Sequence, residues 1–233
     1  MNGMLARDNF EIAARMFNNA FNPRTVNGQQ NPKYDPNWNA VDEFRLCQST
    51  LRLEQPVVTT STKYTFPVLV NIQNQATGSF NTEIRLNMQD SFIPTEIFIG
   101  LGLPASSTDT TFQLKSYPAP ATFAQYLQLQ ALYAGTMQLA INNVNYINNW
   151  DLNRHWCINQ TQQTAAVGAG SPEDQLALSD DGFYPMQPFV LLLGSQNINL
   201  TINVPVAPSS VDSNTRLVIL LRGILAQNST VVN

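Results

Sequence analysis

The chain has 233 residues, enough for one large β domain or two small ones, and its 43% hydrophobic content supports a sizeable core. Only 12% of residues are charged, about half the usual share, and Lys33, Lys63 and Lys115 are the only lysines. With a net charge of −4 and no basic run to track phosphates, direct nucleic-acid binding is not expected.

The polar surface is carried by Asn, Gln, Thr and Ser instead of charge. Such a surface has little repulsion to keep copies apart, which fits a protein packed against neighbours. It also fits a β protein with a neutral surface outside the cell. The first residues lack the charged-then-apolar pattern of a secretory signal. No apolar run approaches the roughly 20 residues needed to span a bilayer. Cys47 and Cys157 do not make a disulfide framework in a chain this long. They read as reduced, buried, small apolar residues of a protein made in a cytoplasm.

In chain order, residues 9–21 read as a helix. Phe10, Ala13, Phe17 and Phe21 recur at helical spacing, with Arg7, Glu11 and Arg15 toward the other side. The helix is too short to be stable alone, so its aromatic stripe needs a partner surface. Residues 22–39 are rich in Asn, Pro, Gly and Gln and read as an extended arm. Two placements stay open. The helix and arm of residues 1–40 reach a neighbouring copy through Phe10, Phe17 and Phe21, or they fold back on their own domain.

Residues 41–233 read as the β domain. Phe44, Leu46, Leu51 and Leu53 mark a first strand whose alternation slips at Gln48–Thr50, as at a bulge. Tyr64–Ile72 is strand-like, with Pro67 arguing for an edge position. Ile84, Leu86 and Met88 alternate, and Thr95–Leu103 is rich in β-branched and aromatic residues. Thr122–Ala134 fits a short helix crossing between sheets better than a strand. Thr136–Ile147 reads as a hairpin, because Asn142-Asn143 tolerates the positive φ of a tight turn.

Asp151–Ile158 reads as a further strand, and Thr161–Asp181 as a long polar contact loop. Phe189–Leu193 and Ile198–Val204 follow as strands, the second alternating strictly. Leu217–Leu221 is apolar on both faces and calls for cover on both. The fold class implied is all-β, an antiparallel β-sandwich of about nine or ten strands, jelly-roll-like, preceded by the short helix and arm.

Candidate chemistry is sparse. His155 is the only histidine, with Cys157 two positions on and Asp151 four before. On one strand face these side chains would point in parallel, whereas a catalytic triad converges from separate elements. They read as structural, and no enzyme is expected. One His and two distant Cys do not furnish the roughly four ligands of a structural zinc site. Glu173, Asp174, Asp180 and Asp181 lack calcium-loop spacing and read as solvated acids. The sequence therefore implies no metal and no cofactor. Trp38, Trp150, Trp156, Tyr133, Tyr146 and Tyr184 form a sugar-stacking platform if they share a surface, and core or subunit contacts if they do not.

One stretch carries a resemblance. Tyr133–Gln163 combines the Asn-rich hairpin, the Trp150-Asp151 pair after it and an exit through Gln160-Thr161-Gln162. It resembles β-rich structural proteins of bacteriophage virions, and the segments Met88–Phe92 and Arg216–Leu225 are similar too. The resemblance implies a capsid or capsid-associated subunit with a single jelly-roll core, made in the host cytoplasm and residing in the virion. Its expected partners are copies of itself, as a homo-oligomer, and other virion proteins. The rival expectation is a receptor- or carbohydrate-binding module on a virion or cell surface.

Overall fold

The computed structural model describes residues 2–27, 29–68, 86–109, 112–120, 122–157 and 182–229, the side chains of residues 2–6 excepted. The N-terminal part holds helix α1 (Asn2–Phe21), a small hairpin of β1 (Thr25–Val26) and β2 (Gln29–Gln30), and the one-turn helix α2 (Ala40–Glu43). Asn39 caps α2 by accepting from the Val41 amide. Then come β3 (Arg45–Pro56), β4 (Lys63–Pro67), β5 (Ser91–Gly102), β6 (Leu114–Lys115) and helix α3 (Tyr126–Tyr133). The hairpin of β7 (Thr136–Ile141) and β8 (Val144–Asp151) leads into a 3-10 turn, Leu152–His155. The last strands are β9 (Tyr184–Pro185), β10 (Leu192–Leu193), β11 (Ile198–Asn203) and β12 (Arg216–Gln227).

The larger sheet has six strands in the order β10-β5-β12-β3, with β6 and β9 also pairing with β5. The second has four, in the order β4-β11-β7-β8, and β1-β2 is a sheet by itself. β12 is central: it runs antiparallel to β3 along its whole length and to β5 on its other side. Leu217, Val218, Ile219 and Leu221 are all buried, so the cover expected on both faces of this run is present. The inner faces of the two larger sheets share one core, with Leu53, Ile97 and Ile219 on one side and Phe66, Leu139 and Leu200 on the other.

The all-β, jelly-roll-like sandwich does not describe this molecule. Among the described residues, three helices and three open sheets make it a mixed α/β fold. The physical reason lies on the outer face of the larger sheet. Ile93, Ile224 and Ala226 are apolar there, and α1 covers them with Ala13 and Phe17 in a second core. α3 adds Leu129, Leu132 and Tyr133 to the main core.

Other expectations resolve locally. The Asn142-Asn143 turn has φ of 48° and 66°, as the hairpin required. β3 pairs with β12 in unbroken register, so the slip expected at Gln48–Thr50 is absent. The irregularity lies instead between Arg222 and Gly223, where β12 meets β5. A Cβ on Gly223 would stand 2.1 Å from the Ile93 carbonyl oxygen, which is why glycine occupies that place. The strand expected at Asp151–Ile158 is a 3-10 turn, with Asp151 accepting from the Asn153 amide. Cys47 and Cys157 form no disulfide, but they are half-buried and not in the core. Residues 69–85 and 158–181 lie outside the described residues, and with them the Ile84 alternation, the Thr161–Asp181 loop and its acids. Among the described residues no helix is long and apolar enough to cross a membrane.

Candidate interaction surface

Phe10, Phe17 and Phe21 are used within the chain. Phe17 is fully buried, and Phe10 and Phe21 pack against the same second core. Phe21 stacks at 6.4 Å on Phe17 and meets Phe44 edge-on at 5.1 Å. Of the two placements open from the sequence, this is the one folded back on its own domain.

His155 and Cys157 do not share a strand face. The 3-10 turn carries His155 into the core, where it is fully buried between Trp150 and Tyr184. The Trp150 indole N–H donates to His155 Nε2 at 2.8 Å. That fixes the proton of the neutral ring on Nδ1, where the Gly182 backbone is the group that acts on it. With its lone pair already engaged, the imidazole is poorly placed to take a proton from a substrate. Cys157 is drawn elsewhere, its carbonyl accepting from the Ser116 hydroxyl. Among the described residues no group of three or more His, Cys, Asp or Glu is arranged to hold a metal.

Burial pushes the His155 imidazole down to about 4. The Gly182 backbone opposes this, Arg154 adds to it, and Asp151 opposes it weakly. The folded state thus holds the ring neutral, while the unfolded chain protonates it near 6.5. The stabilisation is complete above about pH 6.5, falls away as pH drops toward 4, and amounts to about 3 kcal/mol. Denaturant titrations at pH 7 and pH 4.5 should show wild type losing more stability than His155→Gln. Equal losses in the two proteins would mean that His155 does not titrate in this way.

The aromatic platform is not assembled. Tyr133, Trp150, Trp156 and Tyr184 belong to the main core, Trp38 to the second, and Tyr146 is exposed on β8. Tyr133 and Trp156 meet edge-to-face at 5.3 Å, a core contact.

The sheet edges offer a clearer signal, one the sequence reading missed. An open edge presents unpaired N–H and C=O groups, and proteins that stay monomeric blunt their edges. β4 is five residues long and carries Lys63 and Pro67. β8 slips register twice against β7. The outer side of β5 is closed by β6, β9 and β10, each of two residues. β3 is different: it is twelve residues long, in unbroken register and last in its sheet. From Leu46 to Leu51 it has no charge and no proline, and Gln48 and Thr50 are exposed. Among the described residues no strand pairs with its outer side.

Beyond Leu51 the same strand supplies Arg52 and Glu54. Glu54 meets Arg52 through one carboxylate oxygen and Arg216 through the other, at 3.1 Å to Arg216 Nη1. Phe112 lies under both guanidinium groups, at 5.0 and 5.6 Å. Farther along β12, Arg222 pairs with Glu96 at 3.2 Å. Several of the chain's few charges are thus engaged with one another on the larger sheet, away from the uncharged part of the β3 edge.

Compared with family models, with curated proteins and with solved structures, the chain finds no match.

Proposed function

We propose that the protein is a structural virion subunit, capsid or capsid-associated, that works by association with further copies of itself and without a catalytic step. The observation that carries this reading is the outer edge of β3, twelve residues in unbroken register with an uncharged, proline-free run from Leu46 to Leu51 that no strand among the described residues covers. Strand addition between copies satisfies its backbone groups, and an antiparallel β3-to-β3 pairing makes a two-fold interface. The charge-poor composition and the resemblance of Tyr133–Gln163 to phage virion proteins support the same reading. A receptor- or carbohydrate-binding role is the second reading, favoured by a cleft beside α1.

The test is light scattering on a sizing column, with electron microscopy of the fractions. Wild type should run as an oligomer or larger particle. Gln48→Lys combined with Thr50→Lys places two charges on the edge and should shift the protein to monomer. Both positions are exposed, so melting should move by no more than about 0.5 kcal/mol of stability. A monomeric wild type, or a lysine variant that assembles as before, would sink the proposal.

A further inference from the structure

A cleft of about 470 Å³ lies between the C-terminal half of α1 and the segment that follows it. That size falls within the range of small-molecule sites. Arg15 and Asn19 line it from the helix, and Arg24, Tyr34 and Trp38 from the opposite wall. The walls are tied together. Asn22 donates to the Asp35 carbonyl at 2.6 Å and accepts from the Asp35 amide at 3.1 Å. Asn18 accepts from the Ala40 amide at 2.7 Å. The cleft is therefore shaped before any ligand arrives.

Its charge is unbalanced. Among the described residues no carboxylate side chain lines it. Glu11, one turn before Arg15 on the helix, is paired with Arg7 at 3.2 Å. Among the described residues Arg15 forms no ion pair or side-chain hydrogen bond. Arg24 donates to the Tyr34 hydroxyl at 3.0 Å and lies over that ring at 5.5 Å, which aims the guanidinium without neutralising it. Two cations facing one cleft, in a chain of net charge −4, favour an anion there. A guanidinium binds a carboxylate or phosphate through a two-pronged fork. Trp38 is half-buried and held edge-on to Phe44 at 5.5 Å, presenting a fixed indole for the apolar face of a ring. The Asn19 amide both donates and accepts, as hydroxyl groups require.

The geometry points to a binding site for an acidic sugar, a hydroxylated ring bearing one carboxylate or phosphate. The two cations take the acid, Trp38 takes the ring, and Asn19 takes a hydroxyl. The inference does not depend on assembly at β3, so the two fail separately.

Calorimetric titration of the full chain with D-glucuronate, D-glucose 6-phosphate and D-glucose tests it. At least one acidic sugar should bind with a dissociation constant of about 1 mM or tighter, and about tenfold or more tighter than glucose. The tighter of the two acids tells whether carboxylate or phosphate is the native group. Arg15→Gln should weaken that binding by about tenfold or more with melting unchanged, since the side chain holds nothing else in place. Arg24→Gln should weaken binding likewise, and it also removes the bond to the Tyr34 hydroxyl. No binding of either acid at about 10 mM, equal binding of glucose, or an Arg15→Gln protein that binds as wild type would overturn the assignment.

Discussion

A chain ending at Ser213 is expected to be insoluble, or soluble without a cooperative melt. Such a chain lacks β12, the strand that joins β3 to β5. Removing it strips the ladder from one side of both neighbours and opens the main core along Leu51, Leu53, Ile97 and Ile99. Leu217, Ile219 and Leu221 are buried in that core, and each contributes roughly 1.5–3 kcal/mol. A typical domain holds a total of only about 5–15 kcal/mol. A milder probe of the same strand is Gly223→Val. Its Cβ would stand 2.1 Å from the Ile93 carbonyl oxygen and 2.7 Å from the Pro94 Cα, both backbone atoms that cannot swing aside. This variant should lose more than about 4 kcal/mol in urea denaturation. A truncated protein that is soluble and melts cooperatively would show that β12 is dispensable to the core.

Glu54→Gln should cost about 3–5 kcal/mol, far more than an ordinary surface charge. The carboxylate is only 4% exposed and Arg216 only 6%, so water does little to screen them. Neutralising Glu54 takes the carboxylate from the buried Arg216, which also donates to the Ser107 carbonyl at 2.7 Å, and it weakens the hold on Arg52. The cost comes from burying cations without their carboxylate, more than from loss of one attraction. Replacing Glu54 and Arg216 together with leucine and methionine should therefore recover part of the loss, since only Arg52, the more exposed of the two cations, then loses its carboxylate. Urea midpoints of the single and double variants measure this directly. A loss below about 1 kcal/mol in Glu54→Gln would place the cluster with exposed ion pairs.

Strong periodicity was legible and crowding was not. The alternation of Ile198–Val204 and the two-faced run Leu217–Leu221 each point to one structure, and β11 and β12 follow them. Asn142-Asn143 marks its turn because few residues accept positive φ in succession. The stripe of α1 was visible, but its partner was not. The residues it covers, Ile93, Ile224 and Ala226, come from two strands far away in the chain. Nor did spacing reveal that Trp150 would turn its N–H to a histidine five positions on. That contact exists because Asp151 stops the strand and starts a 3-10 turn. The β3 edge and the cleft beside α1 were hidden for a related reason. An edge is defined by which strand is last in the sheet, and the cleft's second wall has no hydrophobic period at all.

The order of synthesis gives the central position of β12 a kinetic meaning. β3 and β5 do not pair with each other; both bond to a strand that leaves the ribosome after every other strand of their sheet. Until Arg216–Gln227 emerges, two twelve-residue strands wait without their common neighbour, each with apolar side chains that later become core. Closing contacts between such distant segments is slow, and waiting strands of this kind are where nascent chains misassociate. A ribosome stalled before Arg216 would therefore leave an incomplete chain prone to aggregate, a natural client for chaperones that hold nascent strands apart.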